Sequence, residues 1–229
     1  MNILRAVVYL LSTLLLYLGL PLLGWGLDDL AGFFSRPPKS GFALATLLFA
    51  AVIGAQALSG MEGLRGGKGD PAKLNRRESA VKTVTVLALY LILTMIPLTD
   101  RRGIAVIAEL PALQWAGVVL CAAGYAFVFW SGLALGRQYS AEVTIQQDHR
   151  LITSGPYRWI RHPRYLGVIL LAAGLALVFR SWIGLALLAP ITAVMLLRIH
   201  DEEELLGREF GPEWQTYQKT SSRLLPGIF

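Results

Sequence analysis

The chain has 229 residues, of which 55% are hydrophobic and only 16% charged, and its mean hydropathy is +0.54. Soluble domains rarely carry so little charge over this length, and no Ser/Pro-rich linker separates a soluble half, so residues 1–229 read as a single membrane domain. The formal net charge of +6 is better explained by membrane topology than by nucleic-acid binding. The single Cys121 excludes an intrachain disulfide and, inside an apolar run, reads as a core residue rather than a catalytic thiol.

In chain order, Ile3 to Trp25 is apolar apart from Arg5 and small hydroxyls. It is too long for a signal-peptide core and no small-residue cleavage site follows, so it reads as a retained span of about 20 residues. Asp28 to Ser40, with Pro37-Pro38, reads as a loop. Gly41 to Ser59 reads as the second span, and the Gly-rich, basic stretch from Met61 to Lys82 as a long connection. Val81 to Leu98 is the third span, Thr99 to Glu109 a short loop, and Pro111 to Leu135 the fourth span. Leu166 to Phe179 and Ile183 to Leu197, split by Arg180-Ser181-Trp182, read as a tight helical hairpin. The expected architecture is all-α and polytopic, with about six transmembrane helices. Spans one to three fall in residues 1–110, and 111–229 form the core that carries the chemistry.

Basic residues set the orientation. With six spans, 16 of the 21 Lys and Arg fall in loops on one side, and Arg36, Lys39, Arg101, Arg102 and Arg180 fall on the other. The positive-inside rule then puts both termini on the cytoplasmic side. Two polar clusters, 149–167 and 198–218, share that side, where soluble cofactors are at hand.

The first cluster is HRLITSGPYRWIRHPRYLG. Gly155-Pro156 reads as a turn. Tyr157 to Arg161 mixes aromatic and basic residues, as a segment at headgroup level does. Pro163 suits the first turn of a helix, where its missing N–H costs nothing. His162 then stands at the helix edge, where unpaired backbone N–H groups can meet a polar ligand. An ordinary aromatic and basic membrane belt explains the same composition.

The second cluster, RIHDEEELLGREFGPEWQTYQ, continues the sixth span. Arg198 and Glu202 share a face at i, i+4. Glu203 lies instead on the strip with Ile199, Leu206 and Phe210. A carboxylate on an apolar strip costs up to roughly 2.5–3.5 kcal/mol near the bilayer centre and less toward the interface, so a cation, a donor or a positively charged ligand should offset it. A solvated helix end with pairs Arg198–Glu202 and Glu204–Arg208 accounts for the other charges but not for Glu203. Phe210-Gly211-Pro212 should end the helix, with Trp214 and Tyr217 anchoring the tail.

These two stretches, with FGPEWQTYQ and the late LLP, resemble the isoprenylcysteine carboxyl methyltransferase family of integral membrane methyltransferases. The resemblance covers about the last 90 residues. It implies S-adenosyl-L-methionine as cofactor and a cytoplasmic pocket formed by the 149–167 segment and the C-terminal helix. It makes His149, Arg150, Leu151, Ile152, Tyr157, His162, Pro163, Arg164, Tyr165 and Glu202 cofactor contacts, and Arg198 and Glu203 catalytic residues. The implied acceptor is a lipophilic small molecule or prenylated substrate entering from the bilayer, most simply through a carboxylate such as an isoprenylcysteine α-carboxyl. Trp214 stands where the family usually has Tyr. The extra N-terminal spans of the eukaryotic members are missing.

Three other readings compete. An NADPH-dependent membrane reductase, similar to steroid 5-alpha-reductases and sterol reductases, would share the aromatic, basic closing segment, but the paired glutamates and RHPRY favour a methyl donor. A phospholipid or small-thiol methyltransferase differs only in its acceptor. A transporter would need polar residues at mid-membrane, where these spans show almost none. No Gly-rich nucleotide fingerprint is present, and His149 and His162 are too far from any Cys or further His to read as a zinc site.

Overall fold

The computed structural model describes residues 2–59, 76–136 and 150–227. Its described elements are helical, with eight α-helices: α1 (Asn2–Leu14), α2 (Leu20–Trp25), α3 (Leu30–Phe34), α4 (Pro37–Ser59), α5 (Arg76–Arg102), α6 (Pro111–Leu135), α7 (Pro163–Val178) and α8 (Trp182–Thr220). Among the described residues, four stretches are long and apolar enough to cross a membrane: Ile3–Trp25, Pro37–Ser59, Pro111–Leu135 and Trp182–Phe210. Pro163–Val178 is a shorter apolar helix.

Local sequence explains most boundaries. α1 passes into α2 through one π-helical turn, Leu15–Gly19, just before Pro21. Proline removes one ladder hydrogen bond and crowds the carbonyl four residues back, and a widened turn there absorbs both defects. The Asp29 carboxylate accepts from the Gly32 N–H at 3.0 Å and caps α3. α4 begins at Pro37, earlier than the Gly41 expected from the sequence. The Pro-Pro pair, read there as loop punctuation, occupies a helix's first turn, where no N–H is needed.

The tightest packing joins α6 to α7. A Cβ added at Gly124 would lie 2.7 Å from the Gly167 carbonyl oxygen, and one added at Gly174 would lie 2.6 Å from Cys121 Sγ. Small residues at this seam let two backbones touch, which is how apolar helices gain contact when lipid is as apolar as their side chains. α2 meets α5 in the same way, since a Cβ on Gly24 would lie 2.1 Å from the Thr94 carbonyl oxygen. Aromatic rings fill the centre, with Phe49 stacked on Tyr125 at 4.4 Å and Phe42 edge-on to Phe179 at 5.7 Å.

At one end of the bundle, charges that loop counting would leave in solvent are buried. Lys39 Nζ lies 2.6 Å from Asp100 Oδ2, both side chains fully enclosed. Arg180, in left-handed backbone at φ 48°, donates to Asp100 Oδ1 at 3.0 and 2.7 Å. Lys39 also sits 3.8 Å above the Trp25 ring. The cluster ties the start of α4, the end of α5 and the α7–α8 turn. Ser181 then caps α8 by accepting from the Gly184 N–H at 3.0 Å.

α8 corrects the expected stop at Phe210-Gly211-Pro212. Gly211 breaks the helix at φ 47°, ψ −116°, but helical backbone resumes and runs to Thr220. A left-handed glycine kinks the chain here without ending the element, and Pro212 restarts it at a position that spends no N–H.

Candidate functional site

The other end of the bundle holds the residues singled out from the sequence. Gly155, at φ 62°, turns the chain into a short 3-10 segment, Gly155–Arg158. Tyr157 is buried there and hydrogen-bonded to Ser131 of α6, and burial pushes its hydroxyl well above the ordinary tyrosine value. The Tyr217 hydroxyl donates to the Tyr157 carbonyl oxygen at 2.6 Å, so the restarted part of α8 clamps the turn. Burial pushes the Tyr217 hydroxyl up to about 12.

His162 is the residue before Pro163 and heads α7. It is 3% exposed, and its ring lies between two glutamates of α8, Glu202 and Glu203. Nε2 lies 3.3 Å from Glu203 Oε1, and Nδ1 lies 3.7 Å from Glu202 Oε2. The Tyr165 ring flanks it at 5.8 Å between centroids. Arg198 hydrogen-bonds the Tyr165 side chain, and Arg164 lies close to both Tyr157 and Tyr165. His162, Tyr157, Tyr165, Arg164, Arg198, Glu202 and Glu203 are thus gathered at one place.

The offset required for Glu203 is supplied from within the chain. This carboxylate is 7% exposed. It accepts from Arg161 Nε at 3.0 Å on Oε1, and from Arg223 Nε and Nη2 at 3.0 and 2.7 Å on Oε2. Glu202, one residue earlier, has a side chain 35% exposed and lies on the Nδ1 side of His162. Glu204 and Arg208 pair on the outer face of α8, as the solvated-helix reading expects of them.

Reading the sequence missed the C-terminal strap. Residues 221–224 lie beside 159–162, joined by a parallel bridge between Ile160 and Ser222. Ser222 N donates to Trp159 O at 2.9 Å, Arg161 N to Ser222 O at 2.8 Å, and His162 N to Arg223 O at 3.1 Å. Arg161 Nη1 donates to the Gln218 carbonyl at 3.2 Å and to that of Ser221. Leu224 packs with Ile160, Leu166 and Ile199. The late LLP was the only signal of this strap.

Pro163 is buried at the start of α7, and Arg150, Leu151 and Ile152 lie in the non-helical stretch before the Gly155 turn, Arg150 exposed and the other two half-buried. His149 lies outside the described residues. Among the described residues, no group of three or more His, Cys, Asp or Glu side chains could hold a metal ion.

The donor set suits a cationic, polar ligand such as S-adenosyl-L-methionine. The partly exposed Glu202 carboxylate stands beside the His162 imidazole.

Comparison with known proteins bears on this same region. Residues 117–208 match the model of the isoprenylcysteine carboxyl methyltransferase (ICMT) family. A protein of Bacillus subtilis (strain 168), described as uncharacterized protein YpbQ, is 27% identical over 98 residues, which are 42% of this chain and 58% of that protein. The chain thus spans little more than half the length of the curated relative it matches. The solved structure of the eukaryotic intramembrane Ras methyltransferase ICMT, without a monobody, aligns with 94% of this chain and 96% of its own at 20% identity and a TM-score of 0.46.

Proposed function

We propose that this chain, whose residues 117–208 match the ICMT family model, is a membrane methyltransferase of that family that uses S-adenosyl-L-methionine and methylates a lipophilic acceptor. The acceptor we infer is a carboxylate such as an isoprenylcysteine α-carboxyl. The observation that carries the reading is the convergence of His162, Glu202, Arg198 and Tyr165 beside the Glu203 clamp, all within the family-matched segment.

When bound, S-adenosyl-L-methionine supplies an electrophilic methyl group on a sulfonium centre. Glu202 balances cationic charge on the Nδ1 side of His162. His162, Tyr157 and Tyr165 wall the pocket, with Arg150, Leu151, Ile152, Pro163 and Arg164 as its proposed further contacts. His149, beyond the described residues, completes the proposed cofactor set. Arg198 grips the acceptor carboxylate with two parallel N–H bonds. A carboxylate is already nucleophilic, so the protein contributes position and charge management rather than a general base. The oxygens of Glu203 are taken by Arg161, Arg223 and His162, so in this reading it works by holding His162 in place. The acceptor comes laterally from the bilayer. The proposed topology has six spans, with the site and both termini cytoplasmic, supported by the 16 of 21 basic residues on that side. Labelling of a cysteine at position 150 from outside sealed cells, in a Cys121→Ser background, would contradict that topology.

The test of function is transfer of a labelled methyl group by the protein in nanodiscs. The acceptor panel holds an isoprenylcysteine carboxylate, an amine phospholipid and a lipophilic thiol. The expected product is a base-labile methyl ester, reduced about ten- to a hundred-fold in Arg198→Lys, which keeps charge but loses the two-pronged grip. Label on the amine or thiol instead would overturn the carboxylate assignment.

A further inference from the structure

We propose that Arg223, reaching in from the C-terminal strap, is a positioning residue that fixes the tautomer of His162 through Glu203. The inference builds on the proposed role of His162 at the cofactor, but the tautomer itself is a property of the ligand-free chain.

Among the described residues, charged neighbours reach the ring from α7, α8 and the strap. Arg161 is its sequence neighbour, and Arg164 and Tyr165 follow on α7. Glu202, Glu203 and Arg198 face it from α8, and Arg223 comes from the strap. Glu203 receives one guanidinium N–H on Oε1 and two on Oε2. Flanked by two guanidinium groups, it is ionised and can only accept hydrogen bonds. A carboxylate offers about four acceptor positions, and with three in use the last faces His162 Nε2 at 3.3 Å. The proton of a neutral imidazole must then sit on Nε2, because an Nε2 lone pair would face a carboxylate lone pair. Nδ1 is left as an acceptor beside Glu202, 3.7 Å away and beyond hydrogen-bond reach. The site so prepared presents two acceptors, Nδ1 and the Glu202 carboxylate, to a ligand bearing hydrogen-bond donors.

Arg223 keeps that arrangement by compensating Oε2. Without it, Oε2 loses both of its guanidinium N–H donors, and the carboxylate is free to turn so that its open acceptor position no longer faces Nε2. The other tautomer would put a donor at Nδ1 and reverse what the site recognises. The strap thus contributes chemistry to the site as well as packing. The same residue that carries the guanidinium also accepts the His162 backbone N–H at 3.1 Å, so the strap sets the position of the ring and its proton together.

The experiment is ¹⁵N spectroscopy of the histidine rings in the full-length, ligand-free protein in detergent at pH 7.5. The chain has three histidines, and the His162 signals are those lost in His162→Gln. The wild type should show His162 protonated on Nε2 with a bare Nδ1. Arg223→Gln should lose that signature. Arg223→Lys, which keeps a cation at Oε2, should retain it, and so should Leu224→Ala, which loosens the apolar anchor of the strap and spares the charges. A wild-type ring protonated on Nδ1 overturns the proposal without any variant being needed. An Arg223→Gln spectrum like the wild type also overturns it, as does a Leu224→Ala spectrum changed as much as that of Arg223→Gln. Failure of S-adenosylhomocysteine to bind would overturn the cofactor reading instead and leave the tautomer result standing.

Discussion

Asp100→Leu tests the buried charge cluster at the end of the bundle opposite the site. Asp100 is fully enclosed, touches Lys39 at 2.6 Å and accepts two guanidinium N–H bonds from Arg180. Leucine removes the central anion and leaves two cations, one of them with no exposed surface. Removing one partner of a buried pair costs about 3–5 kcal/mol, because the remaining charge is uncompensated. At about 2–4 °C per kcal/mol for a chain of this size, thermal unfolding in detergent should move down by about 6–20 °C. Lys39→Met should cost less, since the Arg180 fork on Asp100 survives. The double variant should lose less than the sum of the two, because contacting charges couple by about 0.5–3 kcal/mol. An Asp100→Leu protein unfolding within about 2 °C of wild type would refute the claim that this cluster ties α4, α5 and the α7–α8 turn together.

Two further outcomes follow from the packing and the surface. Gly174→Leu places a Cβ 2.6 Å from Cys121 Sγ and 2.7 Å from the Gly117 carbonyl oxygen, so it should prise α6 from α7. The expected cost is at least the roughly 1–3 kcal/mol of ordinary overpacking, read as a lowered thermal midpoint. The Arg101 guanidinium, hydrogen-bonded to Asp28, holds that carboxyl at about 2, below its ordinary 3.8. A depressed carboxylate stabilises the fold above its unfolded value and loses that contribution as pH falls toward about 2. The midpoint of Asp28→Asn should therefore fall less steeply between pH 5 and 2 than that of wild type, and parallel curves would remove the pair from the account.

How much of this could be read beforehand depended on whether the signal was local. α6 runs from Pro111 to Leu135, as its continuous apolar run requires. α4 starts at Pro37 because a Pro pair marks a helix's first turn as readily as a loop. Gly211 and Pro212 signal a break, and only the packing of Tyr217 on Tyr157 shows that the chain turns helical again. In the site, Glu203 drew attention because a carboxylate on an apolar strip needs a partner. Which partner could not be read locally. Arg223 lies 20 residues further on and reaches Glu203 only because the strap doubles back beside His162. Lys39 and Arg180 counted as loop charges, yet Asp100 holds them inside the protein. Counting basic residues gives a sidedness and says nothing of burial.

The central claim is that the pocket around His162 and Glu202 holds the methyl donor. Calorimetric titration of S-adenosylhomocysteine into the purified full-length protein tests it most directly, with NADPH titrated in parallel. The account predicts saturable binding of S-adenosylhomocysteine, weakened about ten-fold or more in His162→Ala while thermal unfolding stays cooperative, and no binding of NADPH. Saturable NADPH binding, or S-adenosylhomocysteine affinity unchanged in His162→Ala, would contradict it.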